Sequence, residues 1–284
     1  MELLPKTHRV EPFFIASACG SVFCTYHRPA SDVETRGQVL IASPFAEEMN
    51  RCRSMITLQA RAFAGIGVGT LIIDLFGTGD SVGEYSDARW SLWLENLESG
   101  LWWLRNQPGA KRGMLGIRLG GILAAKLART QPNSDLTLML WQPVIDGRQY
   151  FTQFLRIRIA AQMLRNDLSK ETTESLREQL AKGKGIEVGG YEIHPELAFA
   201  IEAESLESLA PSPRNPILWL EQRGSTSSGA SFAQKLHDAW ADAGIRPDVS
   251  FFDGPAFWQA QDRAIAVNAV ELTTAWLRSR WEKL

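Results

Sequence analysis

Lys111–Leu127, KRGMLGIRLGGILAAKL, leaves a polypeptide few ways to fold. It reads as a short apolar strand, a glycine-flanked turn and a helix of small residues. The turn, Gly116-Ile117-Arg118-Leu119-Gly120-Gly121, sets glycines on both sides of one central side chain. A backbone bent sharply against the start of a helix has no room for Cβ atoms, and glycine removes them. The side chain lifted above this turn is that of Arg118, which stays protonated and has no free lone pair with which to attack a carbonyl.

The rest of the chain surrounds this unit with strands and helices in alternation. Pro12–Ala18 and Ser21–His27 read as strands joined by a turn at Gly20, a hairpin at one sheet edge. Gly37–Ala42 and Thr70–Leu75 read as a third and a fourth strand, with a helix over Asn50–Ala64 between them that Gly65 and Gly67 stop. Asp74-Leu-Phe-Gly77-Thr-Gly79-Asp80-Ser81 follows as a tight loop, in which Asp74 is expected to fix the loop rather than act as an acid. Ala88–Gln107 has a packing stripe of Trp90, Trp93, Leu94, Leu97, Leu101 and Leu104. After the central unit, Asp135–Gln142 makes a sixth strand, Ile217–Glu221 a seventh and Asp248–Asp253 an eighth, with helices over Ala230–Ala243 and Arg263–Trp281. Continuous apolar strands alternating with amphipathic helices imply a mostly parallel sheet covered on both faces. Between strands six and seven the chain instead predicts helices over Gln149–Arg165, Ser169–Ala181 and Pro195–Ala203, with a Gly189-Gly190 turn inside Ile186–Ile193. The expected division is a core of residues 1–146 and 216–284 with a cap of residues 147–215. The arginines of the first cap helix, Arg148, Arg156, Arg158 and Arg165, either form a solvated face or line a cleft under the cap.

A chain of 284 residues suits one α/β domain with an insertion. Its formal charge of −2 gives no reason to expect nucleic acid or an anionic membrane as partner. The start, MELLPKTHRVEPFF, lacks a signal peptide's basic and apolar regions, and no apolar run approaches the ~20 residues of a membrane span. Cys19, Cys24 and Cys52 fit no metal-ligand spacing and read as reduced thiols in a cytoplasmic protein. No cofactor or metal site is expected.

The spacing Gly116-x-Arg118-x-Gly120 is that of the nucleophile elbow G-x-S-x-G of α/β-hydrolases, and the eight strands follow the α/β-hydrolase plan. A closer match rests on SPFAEEMNRCRSM (Ser43–Met55), GIRLGG, WQPVIDGRQYFTQFLRIRIA (Trp141–Ala160), VGGYEI (Val188–Ile193) and GPAFWQ (Gly254–Gln259). Together these resemble the second type of α/β-hydrolase-like protein associated with the exosortase A system of exopolysaccharide-producing bacteria. The resemblance covers nearly the whole chain. It implies a cytoplasmic accessory of exopolysaccharide production and protein sorting, with a hydrolase label that rests on the fold and no implied substrate.

A serine hydrolase needs a nucleophile, a histidine, a carboxylate and amide donors for the oxyanion. Arg118 stands in the nucleophile's place. Asp253-Gly-Pro-Ala-Phe257-Trp258 holds no histidine after strand eight, and Gln222–Ser228 holds no carboxylate after strand seven. His8, His27, His194 and His237 fall at no suitable position for a base. The catalytic candidates are Ser43 after strand three, Asp146 after strand six and Glu221 at the end of strand seven; neither Ser43 nor Cys52 has a base placed to activate it. The binding candidates are Arg118, Leu119, Phe45, Glu47, Glu48 and Trp258. Arg118 at a helix N-terminus favours an anion. That anion is either Glu47 or Glu48 in an ion pair that rigidifies the site, or a ligand such as an acidic sugar, an acyl group or a phosphopantetheine. Three function classes follow. They are a catalytically degenerate accessory that binds an anionic ligand, an ester or thioester hydrolase with an unconventional site, and a scaffold that binds a protein of the exopolysaccharide system through its cap.

Overall fold

A computed structural model describes residues 8–130, 136–164, 171–212, 214–224 and 227–282. Ten strands and eight α-helices follow in the order β1 (Val10–Ser17), β2 (Gly20–His27), β3 (Gly37–Ala42), α1 (Glu47–Ala64), β4 (Val68–Ile73), α2 (Trp90–Arg105), β5 (Lys111–Ile117), α3 (Leu119–Thr130), β6 (Thr137–Trp141), α4 (Gly147–Leu164), α5 (Thr173–Ala181), β7 (Ile186–Val188), β8 (Tyr191–Ile193), α6 (Pro195–Ala203), β9 (Ile217–Gln222), α7 (Ser227–Asp242), β10 (Asp248–Phe252) and α8 (Val267–Glu282). Eight strands form one sheet in the order β1-β2-β4-β3-β5-β6-β9-β10. β2 runs antiparallel to β1 and β4, and every other neighbour is parallel. β7 and β8 pair as a separate hairpin.

β3 and β6 are buried along their whole length, as continuous apolar strands covered on both faces should be. One face packs α2, α3 and the β6–β9 segment into an extended core that includes Leu40, Leu97, Leu101, Phe151 and Trp219. The other face packs α1 and α8 over Val39, Ile41, Leu115, Trp141 and Leu218. The buried indoles are anchored as well as packed: Trp141 Nε1 donates to Thr273 at 2.8 Å and Trp281 Nε1 to Thr137 at 3.0 Å.

The expected elements are present, with shifted ends. β4 begins at Val68, two residues before the expected start, because Val68 already pairs with Gly37. It also stops short of the expected Leu75. Asp74 is drawn into the following loop, where its carboxylate accepts from the Asp80 N–H and its carbonyl from Ser81. The last helix starts at Val267 rather than Arg263. The Ala266 N–H turns instead to the Met55 sulfur at 3.3 Å. α5 is capped by Thr172, which exchanges bonds with Ser175. The expected element ends at Asp135, Arg165 and Ser169, and residues 1–7, lie outside the described residues. Of the α4 arginines, Arg158 forms a two-pronged pair with Glu171 at 2.7 Å, while Arg148 and Arg156 are exposed.

Candidate functional site

β3, β5 and β6 are neighbours in the sheet. Just past each one's C-terminal end stands a non-glycine residue with positive φ: Ala46 (50°), Arg118 (54°) and Gln142 (40°). These are the three such residues among those described. Each such conformation costs on the order of 1–3 kcal/mol and persists only where its surroundings hold it. The surroundings are visible. The Arg118 N–H donates to the Trp141 carbonyl at 3.0 Å, and the Arg118 carbonyl accepts from Gly121 and Val144. The Gln142 N–H donates to the Leu220 carbonyl at 2.7 Å, and its side-chain oxygen accepts from the Gln222 N–H. The elbow glycines permit the turn to close. A Cβ on Gly120 would lie 2.1 Å from the Ala42 carbonyl oxygen, and one on Gly116 2.6 Å from that of Gly120.

The Arg118 guanidinium rises from this turn into a shell of partners. Nε donates to Glu48 Oε1 at 3.2 Å, and Nη1 to the Gln142 carbonyl at 2.9 Å. Its central carbon lies 5.7 Å from the centre of the Tyr150 ring and 5.4 Å from that of Trp258. Tyr150 donates its hydroxyl to the other oxygen of Glu48 at 3.0 Å. The ion pair is mostly shielded, with 13% of the Arg118 side chain and 19% of the Glu48 side chain exposed. Glu48 belongs to the first turn of α1, where a carboxylate also meets the positive end of the helix dipole. Burial, and then the charge of Glu48, push the Tyr150 hydroxyl well above its usual range.

Of the two glutamates singled out in the sequence, one joins Arg118. Glu47 turns away and accepts from Tyr191 and Asn50. Phe45 is buried in an aromatic cluster, with Phe154 at 4.9 Å and Tyr85, Trp93 and Tyr150 within 6.3 Å. Phe45 and Leu119 line a cavity of about 10 Å³, room for one water at most. Ser43, buried, lines the same cavity and also a second one of about 290 Å³, which His27 and Asp74 line as well. No hydrogen bond joins these three side chains among the described residues, because His27 bonds His8 and Asp74 ties the loop that follows β4. Trp258, buried, stands after β10 where a catalytic histidine would be needed.

The other catalytic candidates take structural positions. Asp146 accepts the Gln149 N–H at 2.6 Å at the start of α4. Glu221 accepts the Trp219 indole N–H at 2.7 Å, and burial raises its carboxyl above the usual range. Cys52 is fully buried, and burial followed by the Glu48 charge pushes its thiol far upward, against thiolate formation. His27 bonds His8 at 2.8 Å, and burial holds it down to about 4. His194 caps α6, and His237 sits edge-on to Trp219. Tyr150 and Gln142 were not singled out by the sequence. Nothing local marks them, because Tyr150 reaches Glu48 across 102 residues and Gln142 reaches Arg118 through a backbone oxygen.

No protein-family profile matches the chain, and no curated protein matches its sequence. Solved structures do match its shape. Est1E from Butyrivibrio proteoclasticus with ferulic acid bound superposes with a TM-score of 0.66 at 14% identity, covering 95% of this chain and 98% of that one. The fold is that of the α/β-hydrolases. A thermostable carboxyl esterase from Bacillus coagulans matches at 0.65 with 14% identity over 96% of this chain and 99% of its own. An esterase from Pyrobaculum calidifontis matches at 0.62 with 15% identity over 97% and 87%. At these identities the α/β-hydrolase fold is shared, and chemistry has to be argued from the site. Among the described residues no helix is long and apolar enough to cross a membrane.

Proposed function

We propose that this protein is a non-catalytic α/β-hydrolase-fold accessory, of the exosortase A-associated kind its sequence resembles, acting in the cytoplasm in exopolysaccharide production. One observation carries this reading: the elbow holds an arginine that donates to Glu48 from Nε and to Gln142 from Nη1 and whose guanidinium lies beside the rings of Tyr150 and Trp258. A cation so enclosed has no nucleophilic lone pair, and the carboxylate beside it, Glu48, is already held by Arg118 and the Tyr150 hydroxyl. On this reading residues 147–215 are the cap, and α4 brings Tyr150 down onto Glu48. Treatment with a fluorophosphonate probe followed by intact-mass analysis tests it, together with turnover of p-nitrophenyl esters and acyl thioesters. The expected result is no adduct and no turnover above heat-killed protein. A stoichiometric adduct with turnover overturns the reading in favour of an ester or thioester hydrolase.

A second reading is favoured by the chemistry around Glu48. The Arg118 guanidinium and the Tyr150 hydroxyl together grip a carboxylate, and a ligand carboxylate or phosphate replacing that of Glu48 would meet the same donors. Calorimetric titration of the Glu48→Ala variant with glucuronate and with phosphopantetheine tests this. Binding by the variant that Arg118→Ala abolishes supports an anion site. Absence of binding leaves the pair structural.

A further inference from the structure

β1 is an outer strand of the sheet, and its free edge is not blunted along its C-terminal half. The hydrogen-bonding direction follows from its neighbours. Phe14 faces Phe23 and Ala16 faces Ser21 in the antiparallel ladder. The Phe23 carbonyl accepts from Asp74 at 3.0 Å and the Ser21 carbonyl from Val82 at 3.2 Å, both on the side away from β1. Opposed residues of an antiparallel pair exchange both bonds or neither. Phe14 and Ala16 therefore direct their N–H and C=O groups outward. Pro12 shares that direction but has no N–H, so the free donors begin at Phe14.

This edge borders a groove of about 550 Å³ between β1 and α2, lined by Phe13–Ala16 on one side and Glu98, Ser99, Trp102 and Trp103 on the other. Its rings are unusually open to solvent: Phe14 is 59% and Trp102 64% exposed. Trp103 and Phe13 stack at 4.8 Å. Among the described residues, Glu98 is exposed with no ion pair and no cation lines the groove. We propose that this groove receives an extended segment of a partner protein, which adds a strand to β1 and sets an arginine or lysine against Glu98 and Trp102. Main-chain bonds to Phe14 and Ala16 supply affinity, and the alternation of side chains supplies selectivity. The indole face and the carboxylate both attract a cation. A second copy of this chain fits poorly, because β1 itself, VEPFFIAS, carries no cation to meet Glu98 and interrupts its own edge with Pro12.

The test uses the full chain and a fluorescent heptapeptide, TVRVTVT, followed by anisotropy. The proposal expects binding that weakens at least tenfold when the peptide's arginine becomes glutamate, and at least tenfold when alternate backbone amides are N-methylated to block ladder bonds. Glu98→Lys reverses the preference between the arginine and glutamate peptides. Equal binding of the methylated peptide overturns strand addition. Full competition by arginine amide at the peptide's own concentration would make this a small-cation site and overturn it too. So would absence of peptide binding, or sedimentation showing a dimer that Glu98→Lys dissolves.

Discussion

Trp258 and Trp102 are the same residue type in opposite situations. Trp258 is buried at the strand ends, its ring beside the Arg118 guanidinium and at 5.0 Å from Phe257. Around it the charges are paired and the backbone strain is held by neighbours. Trp102 stands on α2 with 64% of its surface in water, next to the Glu98 carboxylate and a strand edge, neither of which has an ion-pair or ladder partner among the described residues. The first region has the enclosed character of a core, its charges paired although the buried Trp258 indole N–H has no hydrogen-bond partner among the described residues, and its place in the fold is where hydrolases keep their chemistry. The second has the unsatisfied character of a surface meant to be covered. Position in a fold thus says less about use than whether the charged groups there already have partners.

The contrast can be broken by substitution. Trp258→Ala should cost about 4 kcal/mol by urea denaturation, as loss of a large buried ring does. A much smaller loss would mean the site is looser than a core. Glu48→Ala should cost about 3 kcal/mol, because it strands a shielded guanidinium, whereas Glu48→Leu combined with Arg118→Met should come within about 1 kcal/mol of the parent. If the double variant is as weak as the single, the pair is more than mutual compensation.

Glu221 gives a pH-dependent version of the same question. Burial raises its carboxyl above the ordinary 4.5. As pH rises past 4.5 the unfolded chain releases this proton first, so stability falls until the buried carboxyl has also ionised. Glu221→Gln should flatten that fall and leave the protein slightly more stable at neutral pH; an unchanged pH profile would show that the group is effectively solvated. The smallest effect belongs to the open region: Trp102→Ala should change stability by about 0.5 kcal/mol or less, as exposed substitutions do. It should nonetheless weaken the heptapeptide. A large loss of stability would show that Trp102 is a packing residue and not part of a docking surface.

Much of the architecture was legible because periodicity and glycine placement report local constraints. The interval G-x-R-x-G marked the turn, and the structure shows a Cβ at Gly116 or Gly120 colliding with backbone. The alternation of apolar strands with amphipathic helices implied the covered parallel sheet. Strand ends were less legible, since β4 stops at Ile73 only because Asp74 is claimed by the loop it ties. The site was half legible. That Arg118 would find an anion follows from the cost of leaving a guanidinium unpaired; which anion does not.

Sequence by itself determined that this chain would build the elbow and that the elbow would carry a cation in place of a nucleophile, because both follow from residues adjacent in the chain. Only the tertiary structure chose Glu48 over Glu47, brought Tyr150 and Trp258 onto the guanidinium, and left the β1 edge open. Those choices depend on the phase of α1, the approach of α4 and the loop after β10, and on which strand ends the sheet. Each is set by packing among residues tens to hundreds of positions apart, where no local pattern carries the information.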